Sequence, residues 1–278
     1  MSAEEIDTFT STDGYEHKYR RFRAHSPRAT IVFVHGIQSH GGWYKRSCRQ
    51  LAEAGYEVYF LDRRGAGLNT AARGDTRSFR RLLDDIHEFV AHIPKSGSKL
   101  FLAGISWGGK LALGFPYRYP NKIDGMLLLC PGFFPQVRPP FFQRLWIGRC
   151  RLRCPTRLFP VPLSDAELFT ENKDWQKFIA EDPLATRLAT ARFLVESFNL
   201  DFYVKRAVKR VTMPIVLLLA EKERVIFNEK TRKWIERKAP TPDKTILEYP
   251  GASHTLEFEP ADHPYVKDMI AWLDKRSL

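Results

Sequence analysis

The chain has 278 residues, 44% hydrophobic and 27% charged, with 44 Lys and Arg against 32 Asp and Glu for a formal net charge of +12. Such a composition suits a globular protein with a sizeable core, and it excludes collagen, coiled coil and disordered sequence. The basic balance raises nucleic acid and anionic membrane as partners, but no helix-turn-helix, zinc-finger or aromatic RNA-binding signature is present, so nucleic acid is not expected.

The opening "MSAEEIDTFT" lacks the apolar core of a secretory signal. "DTFTSTDGYEHKYRRFRA" reads as a hairpin about Asp13-Gly14. "ATIVFVHG" is a buried strand ending at His35-Gly36, and "WYKRSCRQLAEAG" has helical spacing with a stop at Gly55. "YEVYFLD" is the next strand, followed by the loop "RRGAGLN". "FRRLLDDIHEFVAHI" carries Phe79, Leu82, Leu83, Ile86, Phe89 and Val90 on one helical face. "KLFLAGIS" is a strand, "WGGKLALGF" opens a helix directly after it, and "DGMLLLCPG" is another strand. From Phe133 to about Arg210 the rhythm breaks into a proline- and arginine-rich stretch and then helical patterns such as "TRLATARFLVESF". It resumes with strand "MPIVLLLA", helix "NEKTRKWIERKA", strand "KTILEYP" and helix "PYVKDMIAWLDKR".

Alternating strands and helices predict a mainly parallel sheet with helices on both faces. The expected organisation is a core from residues 1–132 and 211–278, with 133–210 as a largely helical cap insertion. The longest apolar run, Pro214 to Ala220, is too short to span a bilayer, so a cytoplasmic protein is expected, with peripheral membrane contact left open. The four cysteines, Cys48, Cys130, Cys150 and Cys154, are expected as reduced thiols, Cys130 as a small buried hydrophobe. The lone C-x-x-x-C at Cys150 and Cys154 has no second ligand pair, so no metal is expected.

Ser106 lies in "GISWG" between a strand and a helix. The G-x-S-x-G pattern alone arises by chance in roughly one chain in ten of this length, but this context is that of a nucleophile on a strained turn. A serine needs a base, and the base needs a carboxylate to orient it. His254, in "GASHTLEFE" after the last strand, fills the first role. Glu223 and Glu221, in "EKERVIFN" after "PIVLLLA", compete for the second; reach favours Glu223, leaving Glu221 to solvent or a nearby lysine. The oxyanion hole then falls to the backbone N–H groups of Trp107 and Ile37, the latter just after His35-Gly36. His35 is read as structural.

"HGIQSHGGWY", "LDRRGAGLN", "GISWGG", "LLLAEKERVIFN" and "YPGASHTLEF" together make the chain resemble the α/β-hydrolases of the monoacylglycerol lipase and lysophospholipase group. The resemblance implies Ser106 as nucleophile, His254 as base, and Ile37 and Trp107 as oxyanion donors, with no cofactor. Three departures stand out. Glu223 occupies the position of the usual aspartate, Gln38 and Ser39 replace Gly and Glu of H-G-x-G-E-H, and Ile105 and Trp107 flank the serine in place of His and Met.

Between Pro131 and Pro162 lie Arg138, Arg144, Arg149, Arg151, Arg153 and Arg157 with no acidic residue, interleaved with Phe133, Phe134, Phe141, Phe142, Trp146 and Phe159. Either these rings and guanidinium groups meet an anionic lipid surface, or the rings pack the cap down and the arginines are solvated; no clean amphipathic helix emerges. The expected reaction is hydrolysis of a lipid carboxylic ester through an acyl-enzyme. Thioester or amide cleavage by the same triad, and a binding protein with a drifted triad, are the alternatives.

Overall fold

A computed structural model describes residues 4–94 and 99–277, so residues 1–3, 95–98 and 278 of the expected core lie outside the described residues. The chain opens with the hairpin of β1 (Glu4–Thr10) and β2 (Glu16–Phe22). There follow β3 (Ala29–Val34), α1 (Lys45–Glu53), β4 (Tyr56–Leu61), α2 (Phe79–His92), β5 (Lys99–Ile105), α3 (Gly108–Arg118) and β6 (Gly125–Leu129). A long excursion holds α4 (Phe141–Arg153), β7 (Leu158–Pro160), α5 (Lys173–Glu181), β8 (Leu188–Thr190) and α6 (Ala191–Ala207). The chain then returns through β9 (Ile215–Ala220), α7 (Asn228–Lys238), β10 (Lys244–Tyr249) and α8 (Tyr265–Asp274).

Eight strands form one sheet in the order β1-β2-β4-β3-β5-β6-β9-β10, parallel throughout except for the two pairings of β2. β3, β4, β6 and β9 are buried at every position. Helices cover both faces, which is why these strands read as continuous apolar runs instead of alternating ones. α1 packs with α8, while α2 and α3 pack with each other and with α6. From β3 the chain crosses to β4 on one side, then back over to β5 on the other. The loops leaving β3 and β5 therefore diverge and open a crevice at the carboxyl ends of the strands.

The excursion departs from expectation in two places. A helix, α4, does occupy the arginine-rich stretch. It buries only Ile147 and Cys150, which pack with Phe159 and Ala191, and so narrow a stripe leaves little periodic signal in the sequence. The spacing of "TRLATARFLVESF" predicts one helix, yet Leu188–Thr190 pair with Leu158–Pro160 as a small antiparallel ribbon. The helix starts only at Ala191, where Thr190 caps it by accepting the Phe193 N–H at 3.0 Å.

Two close contacts govern how this frame positions the crevice. α3 lies so close to the sheet that a Cβ on Gly108 would stand 2.3 Å from the Val34 carbonyl oxygen at the end of β3, and one on Gly104 in β5 would stand 2.6 Å from Ala112 Cβ. The excursion, for its part, is tied down at Asp182. That carboxylate accepts the Trp43 indole N–H at 2.6 Å, the His40 Nε2–H at 3.0 Å and the Leu184 N–H at 2.9 Å. Burial alone would raise the Asp182 pKa, but these hydrogen bonds outweigh it and hold the group at about 2, against an ordinary 3.8. Nearby, Thr186 N–H donates to the Gln38 carbonyl at 2.9 Å.

Gly108→Ala should lower stability by about 1–3 kcal/mol or more, because the clashing atom is backbone and must shift the turn; a urea midpoint equal to that of the parent would contradict the close approach. A carboxyl with a depressed folded pKa stabilises above its unfolded value and loses that contribution as pH falls through the folded one. Asp182 should thus contribute about 2 kcal/mol that disappears between roughly pH 4 and pH 2. Urea titrations at stepped pH should show a shallower acid loss in Asp182→Asn than in the parent; identical slopes would remove Asp182 from the account.

Candidate active site

Ser106 follows the last residue of β5 and takes φ of +51°, a left-handed conformation that costs a non-glycine residue strain. The surroundings hold it there. Its N–H donates to the Leu129 carbonyl at 2.9 Å, and its carbonyl accepts from Gly109 at 2.9 Å and Gly132 at 2.8 Å. The residue is 8% exposed, and its side chain is thereby turned out of the strand toward the loop after β10.

There His254 Nε2 lies 2.9 Å from Ser106 Oγ, while its Nδ1 lies 2.8 and 2.7 Å from the two oxygens of Glu223. Nδ1 faces a carboxylate and so carries the hydrogen, which leaves Nε2 free to accept from the serine hydroxyl. Neighbouring backbone fixes the ring's loop: Thr255 N–H donates to the Phe169 carbonyl at 2.9 Å, and Ser253 N–H to Glu259 Oε1 at 2.7 Å. Glu223 sits in the loop after β9, where its Oε1 also takes the N–H of Val225 at 2.8 Å and of Ile226 at 3.3 Å. The longer glutamate arm is folded back on its own turn. Glu221 is exposed and accepts the Gly251 N–H at 2.7 Å, away from the histidine.

Cys130 has a part that its apolar run did not signal. Its thiol hydrogen-bonds Glu223, and burial followed by the Glu223 charge pushes its pKa well above the ordinary thiol range. Sγ, a Glu223 oxygen and a His254 nitrogen lie within 4.8 Å of one another. They are the one such trio of potential metal ligands among the described residues, and Glu223 is the hydrogen-bond partner of both the others. Cys150 and Cys154 are free thiols on the excursion.

The N–H groups of Ile37 and Trp107 both border Ser106 and, among the described residues, donate to no acceptor of the chain. Trp107 is steadied by its indole N–H, which donates to Ser197 Oγ on α6 at 2.8 Å. At the departures in the loop after β3, Ser39 Oγ accepts the Gly36 N–H at 3.1 Å, and the Gln38 carbonyl receives Thr186. His35 is fully buried and bridges two loops, Nδ1 to the Gly36 carbonyl at 2.8 Å and Nε2 accepting the Arg63 N–H at 2.9 Å. Burial, then the Arg63 charge, pushes its pKa well below the usual range, so it stays neutral.

The pocket over Ser106 is lined by Ile37, Trp43, Ile105, Leu163, Phe169 and His254 among others, and its free volume is about 10 Å³. That is room for about one water. A larger cavity of about 140 Å³ lies at the opposite strand ends, between Thr30, Lys99 and Asp124, and holds no Ser, Cys or His.

The sequence model of the Hydrolase_4 family, described as serine aminopeptidase S33, matches residues 25–261. Human monoglyceride lipase is 25% identical over 257 residues, covering 91% of this chain and 84% of its own. Phospholipase YtpA of Bacillus subtilis is 25% identical over 258 residues, covering 91% and 98%. The crystal structure of the Paleococcus ferrophilus monoacylglycerol lipase superposes with a TM-score of 0.84 at 25% identity, covering 94% of this chain and 99% of that one. A match running from before β3 to the loop beyond His254, joined to a superposition over nearly the whole length, leaves one assignment: the chain belongs to the serine aminopeptidase S33 family and has the α/β-hydrolase fold.

Proposed function

We propose that the protein hydrolyses carboxylic esters of lipids, of the acylglycerol or lysophospholipid class, through an acyl-enzyme on Ser106. The observation that carries this reading is the unbroken line from Ser106 Oγ to His254 at 2.9 Å and on to Glu223 at 2.7 Å. His254 takes the hydroxyl proton as Oγ attacks the ester carbonyl, and Glu223 holds the ring and balances the imidazolium charge. The N–H groups of Ile37 and Trp107 receive the oxyanion. Collapse expels the alcohol, protonated by His254; water then repeats the sequence and frees the acid.

The lipid reading is supported by relatives that are a monoglyceride lipase and a phospholipase, and by the apolar lining of the pocket. The family's description as an aminopeptidase raises amide cleavage as a second reading. An aminopeptidase needs a carboxylate to hold the free amine, and no acidic residue lines this pocket, which favours the ester.

Residues 133–210 act in this reading as a cap over the crevice, on a core of 1–132 and 211–278. A pocket of about 10 Å³ cannot hold an acyl chain, since ligand sites run to roughly 300–1,000 Å³; the cap must open. Its α4 presents Phe142 at 82% and Leu152 at 85% exposure beside Arg144, Arg149 and Arg153. No described helix is long and apolar enough to cross a membrane. The surface suits peripheral contact with an anionic bilayer, rings at the acyl boundary and guanidinium groups on phosphates.

Purified protein should release fatty acid from monoacylglycerols or lysophospholipids in preference to acyl-CoA thioesters and peptide amides. Ser106→Ala should bring turnover near background, and Glu223→Gln should reduce kcat by up to about 10⁴-fold, with Glu221→Gln close to the parent. Full turnover in Ser106→Ala would move the site elsewhere, and loss in Glu221→Gln alone would reassign the acid. In vesicle sedimentation the protein should pellet with phosphatidylserine-containing bilayers, weakly with pure phosphatidylcholine, and Phe142→Ser with Leu152→Ser should weaken both. Equal binding by the variants would take α4 out of the contact.

A further inference from the structure

Arg63 is the second residue after β4 and is 3% exposed, yet among the described residues no carboxylate pairs with it. Its neighbour Asp62 is occupied by Arg20 at 2.9 Å and by the N–H groups of Gly41 at 2.8 Å and Leu68 at 2.9 Å. The guanidinium turns instead to the loop after β3, donating through Nη2 to the carbonyls of Gly36 at 2.7 Å and Ile37 at 3.1 Å. Its Cζ lies 4.8 Å from the centre of the Trp107 ring, and Nε has no partner. A cation buried on carbonyls and a ring, with no counter-charge, is held at a solvation cost. Burial pulls its pKa down, offset only in part by Asp62, but a guanidinium remains charged at neutral pH. Two carbonyls could be satisfied by a neutral donor without that cost.

The carbonyl of Gly36 and the N–H of Ile37 belong to one planar peptide, so what grips the oxygen aims the N–H. That oxygen receives two donors, Arg63 at 2.7 Å and His35 Nδ1 at 2.8 Å. Donation to the carbonyl polarises the peptide and makes its N–H a stronger donor. We propose that Arg63 is a positioning residue of the oxyanion hole: it holds and polarises the Gly36–Ile37 peptide, and its charge on the Trp107 ring extends the same positive field to the second donor. The field meets a full negative charge only when the tetrahedral oxyanion forms, so the effect falls on kcat more than on substrate binding. This inference rests on Ser106 being the nucleophile.

The test compares the parent with Arg63→Met and Arg63→Lys, active sites counted by fluorophosphonate titration so that misfolded protein drops out. Two inhibitors sharing the substrate's acyl chain separate the states: a trifluoromethyl ketone, whose adduct bears the oxyanion, and a non-hydrolysable ether, which does not. Arg63→Met should lower kcat per titrated site about 10- to 100-fold and weaken the ketone by a similar factor, with KM and ether affinity nearly unchanged. Arg63→Lys, which keeps the charge but loses the fork, should fall between. A kcat per site that is unchanged in Arg63→Met, or a loss matched in KM and ether affinity, overturns the proposal. If Arg63→Met does not fold, Arg63→Lys decides: ketone affinity and kcat must fall together with KM held, and no change in either overturns it. A parent that neither turns over esters nor takes the phosphonate on Ser106 would instead defeat the reading of the reaction.

Discussion

A serine cannot rest at φ of +51° unless something else makes every alternative worse. Conformations of that kind cost of order 1–3 kcal/mol and persist only where the surroundings over-determine them. Here the surroundings are the sheet itself. Ser106 is tied through both its N–H and its carbonyl to residues at and beyond the end of β6, while Gly104 lets α3 approach β5 and Gly108 lets it approach the end of β3 until no side chain fits between. The helix, the crevice and the direction of the hydroxyl all depend on that one turn.

From the turn outward, each partner is fixed by a different strand end. His254 comes from beyond β10, Glu223 from beyond β9 and Ile37 from beyond β3, and parallel pairing brings these ends to one edge. The polar groups are shared to an unusual degree: Cys130 and two N–H groups on Glu223, His35 and Arg63 on one carbonyl. Shared partners of this kind narrow the geometries open to the buried groups, even though Arg63 Nε is left without one.

The sheet was legible because β4, β6 and β9 announce themselves as unbroken apolar runs and α2 as a wide apolar face. α4 was not, since it rests on two residues, and neither was the β7–β8 ribbon, whose three-residue strands fall below any periodic signal. In the site, the strand-to-helix context of Ser106 and the loop of His254 are visible in the order of elements. Distance past the end of β9 favours Glu223 over Glu221, but the folding of its arm back onto the N–H groups of Val225 and Ile226 is a matter of ångströms that spacing does not encode. Cys130 and Arg63 were hidden for a related reason. Each acts across a strand boundary, Cys130 because β6 lies beside β9, Arg63 because β4 lies beside β3, and those neighbours follow from the pairing of the sheet.

That β6 pairs directly with β9 bears on how much of the chain the sheet itself requires. The two strands are parallel, so the intervening segment leaves the sheet after Leu129 at the carboxyl edge and re-enters on the neighbouring strand at the opposite edge, at Ile215, the register partner of Met126. Its length can grow or shrink without disturbing a single ladder hydrogen bond of the sheet, and loop closure penalises added length only slowly. The ladder whose strand ends carry Ser106, Glu223 and His254 is thus complete without any residue between Leu129 and Ile215.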